Sequence, residues 1–338
     1  MRSSDVGSGP MRVLVTGGTG FVGGAAARRL RAQGHEVRLF ARPSERAQRL
    51  AAEGFEVVAG DVRDPEAVDR AVAGQDAVLH LAANYRAEGV PIRVFEEVNV
   101  EGTRHVLAAC ERHTVRRLVH ASTTGVYGRV FDPPADEDHP CRPPWDHYQR
   151  TKREGELLAL RAFAGPLAGR GVVVRPTGVY GPGDTRFLKL LRPLARGLSV
   201  VPGSRRVLYH PTYVDDAATG LALAVTHAAA AGHVFNLAGP RYYTMGEYLA
   251  LAAAAVGARP PRIHLPLAPL RLAAVVCELA GRALRFEPPL YRRRLNFFRD
   301  HRAFVIDRAR RVLGFDPEVE LAEGLARTVA WSRAQGLL

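Results

Sequence analysis

The sequence predicts an α/β protein in which helices cover both faces of a doubly wound parallel sheet. Two observations lead to this prediction. From residue 11 onward, short apolar runs rich in β-branched residues alternate with amphipathic segments, and a glycine-rich turn separates the first run from the first helical segment. The chain has 338 residues, which is enough for about two domains of roughly 150 residues each.

Six runs predict strands, and their apolar character on both sides is typical of strands in the middle of a parallel sheet. Apolar residues at helical spacing predict helices over Val22–Gln33, Ile92–Glu111 and Tyr148–Phe163, and Gly34 is a typical stop signal for the first of them. The predicted strands are Arg12–Thr16, Glu36–Phe40, Glu56–Ala59, Ala77–Leu81, Arg117–Ala121 and Gly171–Arg175.

The regular alternation weakens after Pro176, where further prolines interrupt the chain. One more strand is predicted at Val234–Leu237, and two more helices at Met245–Val256 and Leu267–Leu284. We therefore expect a sheet domain and a smaller, mainly helical C-terminal domain. The expected boundaries are 11–183 with 207–240 for the sheet domain, 184–206 with 241–338 for the smaller domain, and 1–10 for a disordered leader.

The composition excludes several classes of protein. A net charge of +13 comes from scattered arginines without a nucleic-acid motif, so it favours phosphate-bearing small ligands over nucleic acid. Cys110, Cys141 and Cys277 lie too far apart for a disulfide framework or a zinc cluster, and the histidines lack ligand spacing, so we expect a reducing cytoplasm and no metal. Charges and prolines interrupt Leu265–Leu284, so we expect a partly buried helix there and no integral membrane association.

The strongest local signal is the glycine-rich turn from Thr16 to Gly23. Gly17 can make a tight turn, Gly20 lets backbone amides approach a pyrophosphate, and Gly23 permits close packing of helix on strand. Because this pattern lies between a predicted strand and a predicted helix, it indicates a Rossmann-type dinucleotide-binding domain.

The end of the second strand indicates which dinucleotide is bound. An acidic residue there would bind a free ribose 2′-hydroxyl, but the chain has Ala41 and Arg42, and a guanidinium suits a 2′-phosphate. The sequence therefore favours NADP over NAD, with stacking on adenine or exposure to solvent as the alternatives for Arg42. Asp61, beside Val62 after the third strand, is a candidate acceptor for the adenine amine.

The second signal is the pair Tyr148 and Lys152, one helical turn apart. An ammonium beside a phenol favours the ionised form, which makes the tyrosine usable as an acid or base near neutral pH. A surface pair on a helix is the alternative, but the position about 130 residues after the glycine motif favours the catalytic interpretation.

These residues resemble the extended short-chain dehydrogenase/reductases, which include the NAD(P)-dependent epimerase/dehydratases. The resemblance extends from Met11 to Gly336. Its motifs in this chain are Gly17–Gly23, His80–Ala83, Asn99–Thr103, Ser122–Gly128, Tyr148 with Lys152, Arg175–Gly183, Tyr213–Asp216, Phe235–Gly239, and Leu313–Phe315 with Trp331.

The resemblance implies roles for matching residues. Thr123, four residues before Tyr127, would hydrogen-bond the reacting oxygen, Tyr148 would move the proton, and Lys152 would bind the nicotinamide ribose. The expected cofactor-binding residues are Gly17, Gly20, Phe21, Val22, Gly23, Arg42, Asp61, Val62, Leu81, Ala82, Ala83, Asn99, Tyr148, Lys152, Pro176 and Val179.

Departures from the family pattern bear on the substrate. The sugar-nucleotide 4,6-dehydratases have Asp-Glu after the catalytic Thr, but this chain has Thr124 and Gly125, which argues against dehydration. Nucleotide-sugar epimerases often carry Asn at the place of Thr177, and Arg where this chain has Tyr209–Pro211. The segment Leu265–Arg294 is similar to its counterpart in 3β-hydroxysterol dehydrogenases and dihydroflavonol reductases, whose substrates are apolar.

We therefore predict an enzyme that moves a hydride at a secondary alcohol or ketone carbon, most simply of a nucleotide-linked or related sugar, by epimerisation or ketone reduction. An NADP-dependent reductase of an apolar, sterol-like or flavonoid-like compound is the alternative. A catalytically silent dinucleotide-binding scaffold is a third possibility, which the presence of Thr123, Tyr148 and Lys152 disfavours. The enzyme is expected to be a homodimer, as is common in the family. Candidate substrate-binding residues are Thr124, Thr177, Lys189, Arg192, Arg205, Arg206 and Arg292.

Overall fold

A computed structural model describes residues 9–85, 90–143, 146–197, 200–261, 263–284 and 295–338. The strands are β1 Arg12–Thr16, β2 Glu36–Ala41, β3 Glu56–Ala59, β4 Ala77–His80, β5 Arg117–Ala121, β6 Gly171–Pro176, β7 Gly178–Tyr180, β8 Val200–Pro202, β9 Leu208–Tyr209, β10 Pro211–Tyr213, β11 Val234–Leu237, β12 Tyr243–Thr244 and β13 Ile263–Leu265. The α-helices are α1 Phe21–Ala32, α2 Glu45–Ala52, α3 Pro65–Val72, α4 Ile92–Glu96, α5 Gly102–Arg112, α6 His147–Ala164, α7 Leu188–Ala195, α8 Val214–Thr226, α9 Met245–Val256, α10 Leu267–Leu284, α11 Asp307–Leu313 and α12 Leu321–Ala334.

The central sheet has seven parallel strands in the order β11-β6-β5-β4-β1-β2-β3. The order reverses at β1, with β2 on one side and β4 on the other, so the carboxyl ends of β1 and β4 leave a crevice between their following loops. Their register places Thr16 beside His80. The predicted doubly wound parallel sheet is therefore confirmed.

Each face of the sheet is covered by a separate apolar core, as expected for buried parallel strands. On one face, Leu30 of α1 and Leu221 of α8 pack with Val15 and Leu79 of the sheet. On the other, residues of α3, α5 and α6 pack against Leu14, Val78 and Leu118. The two cores fix the positions of the strand ends. The loops that follow the strands therefore start from well-packed positions.

A third core joins α7, α9 and α12, where Leu191, Tyr248 and Leu325 are buried together. The helix predicted at Leu267–Leu284 forms with those bounds as α10. Ala274 of α10 is buried, whereas the large apolar side chains of Leu272 and Val276 are more than half exposed. In the part of the chain that the structure describes, no helix is both long and apolar enough to cross a bilayer.

The predicted helix over Ile92–Glu111 is wrong in one respect, because a π-helical turn at Glu97–Glu101 separates α4 from α5. This turn contains Asn99, whose buried side chain reaches out to Asn84 and Thr151. Such π-helical turns are frequent at functional sites. Elsewhere the predicted strand ends differ from those of the structure by at most one residue. The domain boundaries stay a prediction.

Candidate active site

The glycine turn between β1 and α1 packs closely against the backbone of neighbouring segments. Gly17 has a φ of +73°, which favours glycine, and a Cβ there would lie 2.8 Å from the backbone nitrogen of Ala82. A Cβ at Gly23 would lie 2.2 Å from the carbonyl oxygen of Gly17. The two glycines therefore let the turn, α1 and the loop after β4 approach more closely than any other residue would allow.

The N-terminus of α1 is open to an anion. Gly20 is the N-cap residue, no side chain caps the helix, and its first turn, beginning with Phe21 and Val22, holds no acidic residue. The first amide groups of a helix lack partners within it, and the helix dipole adds positive potential there. A dinucleotide pyrophosphate fits this end of α1, because the glycines leave room for it and the amides can donate to it.

The expected adenine end of the site lies at β2 and β3. Arg63 hydrogen-bonds the Asp61 carboxylate at 2.8 and 3.1 Å and is the main cause of the lowered pKa of Asp61, to which the charge of Arg42 also contributes. Arg42 is exposed at the end of β2. Val62 is buried, and its carbonyl oxygen lies 2.9 Å from the His105 ring nitrogen. Arg42 and Asp61 thus lie close together, although Asp61 is already engaged by Arg63.

The loop after β4, which carries Leu81, Ala82 and Ala83, is held from two sides. Its Leu81 and Ala82 amides donate to the carbonyl and hydroxyl oxygens of Thr16, each at 3.2 Å. The Asn99 side chain accepts from the Asn84 amide at 2.7 Å and donates to the Asn84 carbonyl at 3.2 Å. In this structure Asn99, expected to bind cofactor, therefore supports the loop that borders the crevice.

Tyr148 and Lys152 occupy the first two turns of α6, which begins at an Asp146–Gln149 capping box. Both side chains are almost fully buried, and the Lys152 ammonium donates to the Ala121 carbonyl at 2.6 Å. Burial lowers the pKa of Lys152 to about 8, although the negative charge of Glu156 opposes this shift. The predicted pair is thus a buried pair at the end of β5 and not a surface pair.

Thr123, Thr124 and Thr177 follow β5 and β6. The Thr123 hydroxyl caps a short 3₁₀ helix, Thr124–Tyr127, by accepting from the Gly125 amide at 3.1 Å, which leaves its proton available for another acceptor. Thr124 is buried and donates to the carbonyl oxygen of Pro176 at 3.4 Å, and Thr177 is buried and hydrogen-bonded to Thr212. Of the three, Thr123 is only partly buried and its hydroxyl proton is not donated to any of the described strands, while the other two join β5, β6 and β10.

The sequence analysis missed Tyr85 and Arg186. The Tyr85 ring lies edge-on to the Tyr148 ring at 4.9 Å, and the Arg186 guanidinium carbon lies 4.6 Å from the centre of the Tyr85 ring and 5.8 Å from that of Phe21. Asp184 holds Arg186 by two hydrogen bonds of 2.7 and 3.1 Å. The signal that could have found this cation is the Asp-x-Arg sequence directly after Gly183, at the end of a motif that the family shares.

Tyr209, in the segment Tyr209–Pro211 where the resemblance predicts Arg for nucleotide-sugar epimerases, belongs to an aromatic cluster. Its ring packs edge-on against Tyr248 at 4.9 Å and Phe297 at 4.8 Å, and Tyr248 in turn meets Phe187. We call Phe187, Tyr209, Tyr248 and Phe297 the aromatic wall. Burial raises the pKa of Tyr209 to about 12 against the opposing charge of Arg302.

The cations expected to bind substrate lie in other surroundings. Lys189 and Arg206 are exposed, Arg192 is exposed and donates to the carbonyl oxygen of Leu337 at 3.0 Å, and Arg205 lies against Gly246. Arg292 lies outside the described residues. The cation that the structure places beside Tyr85 and Phe21 is Arg186. Among the described residues no group of three or more His, Cys, Asp or Glu side chains could hold a metal.

Comparison with known proteins places this geometry in a family. The model of the NAD dependent epimerase/dehydratase family matches residues 13–238. The chain is 36% identical to the 2-alkyl-3-oxoalkanoate reductase of Stenotrophomonas maltophilia, over 96% of this chain and all of that protein. It is 31% identical to the N-acetyl-α-D-glucosaminyl-diphospho-ditrans,octacis-undecaprenol 4-epimerase of Escherichia coli, over 61% of this chain and 62% of the epimerase.

Two solved structures are similar over nearly the whole chain. The crystal structure of the protein gox2253 has a TM-score of 0.80 and 28% identity, and covers 96% of this chain and 99% of its own. MoeE5 in complex with UDP-glucose and NAD has a TM-score of 0.73 and 26% identity, with the same coverage of 96% and 99%. With its glycine turn, buried Tyr148–Lys152 pair and Thr123, the chain belongs to the NAD dependent epimerase/dehydratase family and is an NAD(P)-dependent enzyme of the extended short-chain dehydrogenase/reductase type.

Proposed function

We propose that the protein is an NADP(H)-dependent ketoreductase whose substrate carries the ketone on an apolar body. The aromatic wall is the observation that carries this proposal, because in the segment Tyr209–Pro211, where the resemblance predicts Arg for nucleotide-sugar epimerases, the Tyr209 ring packs against Tyr248 and Phe297. A sugar diphosphate would be costly to bury there, because the neighbouring cation Arg302 already donates to two backbone carbonyl oxygens. The proposal reverses the order of the two substrate classes predicted from the sequence.

The family comparison supports the same order. The similarity to the 2-alkyl-3-oxoalkanoate reductase extends over that protein's whole length, whereas the similarity to the undecaprenol-linked epimerase covers 62% of it. Because the first match covers 96% of this chain, it includes most of the C-terminal third, which contains α9, α10 and Phe297. Because this part of the chain contributes to the aromatic wall, a match that includes it bears more directly on the substrate.

The side chains around Tyr148 have complementary tasks in such a reduction. NADPH, when bound, supplies the hydride. The Thr123 hydroxyl, whose oxygen accepts from Gly125, is free to donate to the ketone oxygen. Tyr148 gives its phenolic proton to the same oxygen as the alcohol forms, and the Lys152 ammonium, fixed by the Ala121 carbonyl, stabilises the resulting phenolate.

Arg42 supports the choice of NADP. Its guanidinium is exposed at the end of β2 and acts on Asp61 at the expected adenine site, so it can pair with a 2′-phosphate without leaving a buried charge. A residue that is always charged and has a fork of donors suits a phosphate better than a hydroxyl. NADPH is a readily exchanged reductant, which fits net reduction rather than epimerisation.

The experiment is reduction of defined ketones by the purified full-length chain, measured by the loss of NADPH absorbance. We expect turnover of a long-chain 2-alkyl-3-oxoalkanoate and no epimerisation of UDP-N-acetylglucosamine in the presence of NAD. Tyr148→Phe should lower kcat/KM by about 10²–10⁴, because it removes the proton donor. Tyr242→Phe, at an exposed tyrosine away from the pair, is the matched control and should keep wild-type rates.

Two results would contradict the proposal, and a third would contradict the role of Tyr148. Epimerisation of the UDP-sugar without ketone reduction would restore the sugar-nucleotide class. Binding of NADPH with no turnover of either substrate class would instead favour the silent scaffold, and a Tyr148→Phe rate within about threefold of wild type would remove Tyr148 as the acid.

A further inference from the structure

The loop between β7 and α7 holds a cation at the reacting end of the crevice, and neither the proposed reduction nor dinucleotide binding requires it. Resting on the proposed function, we infer that Arg186 binds a carboxylate next to the reacting ketone, so that the substrate is a free 3-oxo acid and not a neutral ketone. Arg186 would then be a specificity-determining residue of the same site.

The position of Arg186 is the first argument. Its guanidinium lies over Tyr85 at 4.6 Å, and Tyr85 lies edge-on to Tyr148 at 4.9 Å, so the cation and the proposed proton donor contact the same ring. The carboxylate carbon of a 3-oxo acid is separated from its ketone carbon by a single carbon atom. A carboxylate that close to a ketone held by Tyr148 would therefore lie in the vicinity of Arg186.

The way Arg186 is held is the second argument. Asp184 accepts from Nε and one Nη2 hydrogen and is itself buried, which fixes the plane of the guanidinium. A guanidinium has five N–H donors, so three stay available for a second acceptor. The Arg186 side chain is 46% exposed, and its free side is accessible to a ligand. Because one carboxylate already orients the Arg186 guanidinium, this group is pre-organised for bidentate binding of a second carboxylate.

The surroundings are the third argument. Phe21 and Tyr85 are the aromatic neighbours of this cation, and Asp184 already balances its charge. Nothing in a neutral, apolar ketone would use three oriented donors. A ligand anion would use them, and without Arg186 it would meet a mostly aromatic surface at a high desolvation cost. The other source of an anion is a phosphate of the dinucleotide, since Phe21 at 5.8 Å belongs to the glycine turn.

The test compares acid with ester in wild type and in Arg186→Met. The substrates are 3-oxododecanoate and its methyl ester, which share the ketone and the chain. We expect the ratio of kcat/KM for acid over ester to fall by about 10-fold to 100-fold in Arg186→Met, the range for a lost charged hydrogen-bond pair. The loss should lie mainly in KM, and Arg186→Lys should restore part of it. Arg196→Met, an exposed arginine just after α7, is the control and should keep the wild-type ratio.

A binding measurement separates this inference from the proposed function. Calorimetric titration of the NADPH-loaded protein with dodecanoate and with methyl dodecanoate needs no turnover, and wild type should prefer the acid while Arg186→Met should not. An equal effect of Arg186→Met on acid and ester, in kinetics or in binding, would overturn the inference. So would a weaker binding of NADPH itself by the variant, because Arg186 would then serve a cofactor phosphate. If wild type reduces neither substrate, the proposed reduction fails, and the titration still decides the role of Arg186.

Discussion

The buried ion pair between Glu156 and Arg175 links the helix that carries Lys152 to the central sheet. Glu156 is fully buried, and Arg175, 4% exposed on β6, donates to its two carboxylate oxygens at 2.8 and 3.0 Å. Burial by itself would raise the pKa of Glu156, but the hydrogen bonds and the charge of Arg175 outweigh it, and the pKa is lowered. We predict that Glu156→Gln strongly destabilises the protein.

The magnitude follows from what the change leaves behind. Arg175 also donates to the Tyr127 hydroxyl at 2.7 Å and to the Glu137 carbonyl at 3.0 Å, so its guanidinium stays inside the protein after Glu156 is neutralised. Removing one partner of a buried pair costs about 3–5 kcal/mol, because the remaining charge is uncompensated. A loss of this size is a large share of the 5–15 kcal/mol that is typical of folded proteins.

Urea unfolding followed by far-ultraviolet circular dichroism measures the effect. The matched control is Glu154→Gln on the same helix, where an exposed Glu154 pairs with Arg150 at 3.3 Å, and we expect it to cost at most about 0.5 kcal/mol. A second variant, Glu156→Gln with Arg175→Met, should be less destabilised than the sum of the two single changes. If Glu156→Gln costs no more than Glu154→Gln, the uncompensated-charge argument is wrong.

Three further predictions concern the cofactor site and Lys152. Gly23→Ala should weaken dinucleotide binding at least about tenfold in fluorescence titrations, because its Cβ would lie 2.2 Å from the Gly17 carbonyl oxygen; Gly24→Ala, with its nearest contact at 3.2 Å, should have a smaller effect. Arg42→Asp should weaken NADPH selectively over NADH in the same titrations, and an unchanged NADPH affinity would refute the 2′-phosphate assignment. The pKa of Lys152 is about 8 in the folded protein and near its ordinary 10.5 in the unfolded chain. Between pH 8 and pH 10.5 the unfolded state therefore binds more protons than the folded state. The free energy of unfolding should rise with pH in this range, by up to about 1.4 kcal/mol per pH unit. Lys152→Met should lack this rise in urea unfolding, and equal slopes for both proteins would contradict the low pKa.

The elements that local sequence determines were predicted well. Strand β1, strand β5 and α9 have the predicted bounds, because the periodicity of apolar residues and the stop signals that define them lie within each segment. The glycine turn and the Tyr148–Lys152 pair were recognisable for the same reason, since each depends on spacings of a few residues along one element. The sequence by itself therefore determined the fold class and the family, and it predicted a dinucleotide site and an acid–base pair.

The substrate end of the site depended on contacts between distant segments. Arg186 meets Tyr85 because the loop after β7 lies against the loop after β4. The Asp184-Thr185-Arg186 sequence marks this arginine as a candidate, but it does not show that Arg186, rather than Lys189 or Arg192, lies beside Tyr85. Asn99 lies in the π-helical turn and hydrogen-bonds Asn84, so its contact likewise involves a residue outside its own helix. Side chains far apart in sequence are brought together by packing of the whole chain, so the tertiary structure alone decided which cation stands beside the ring that packs on Tyr148.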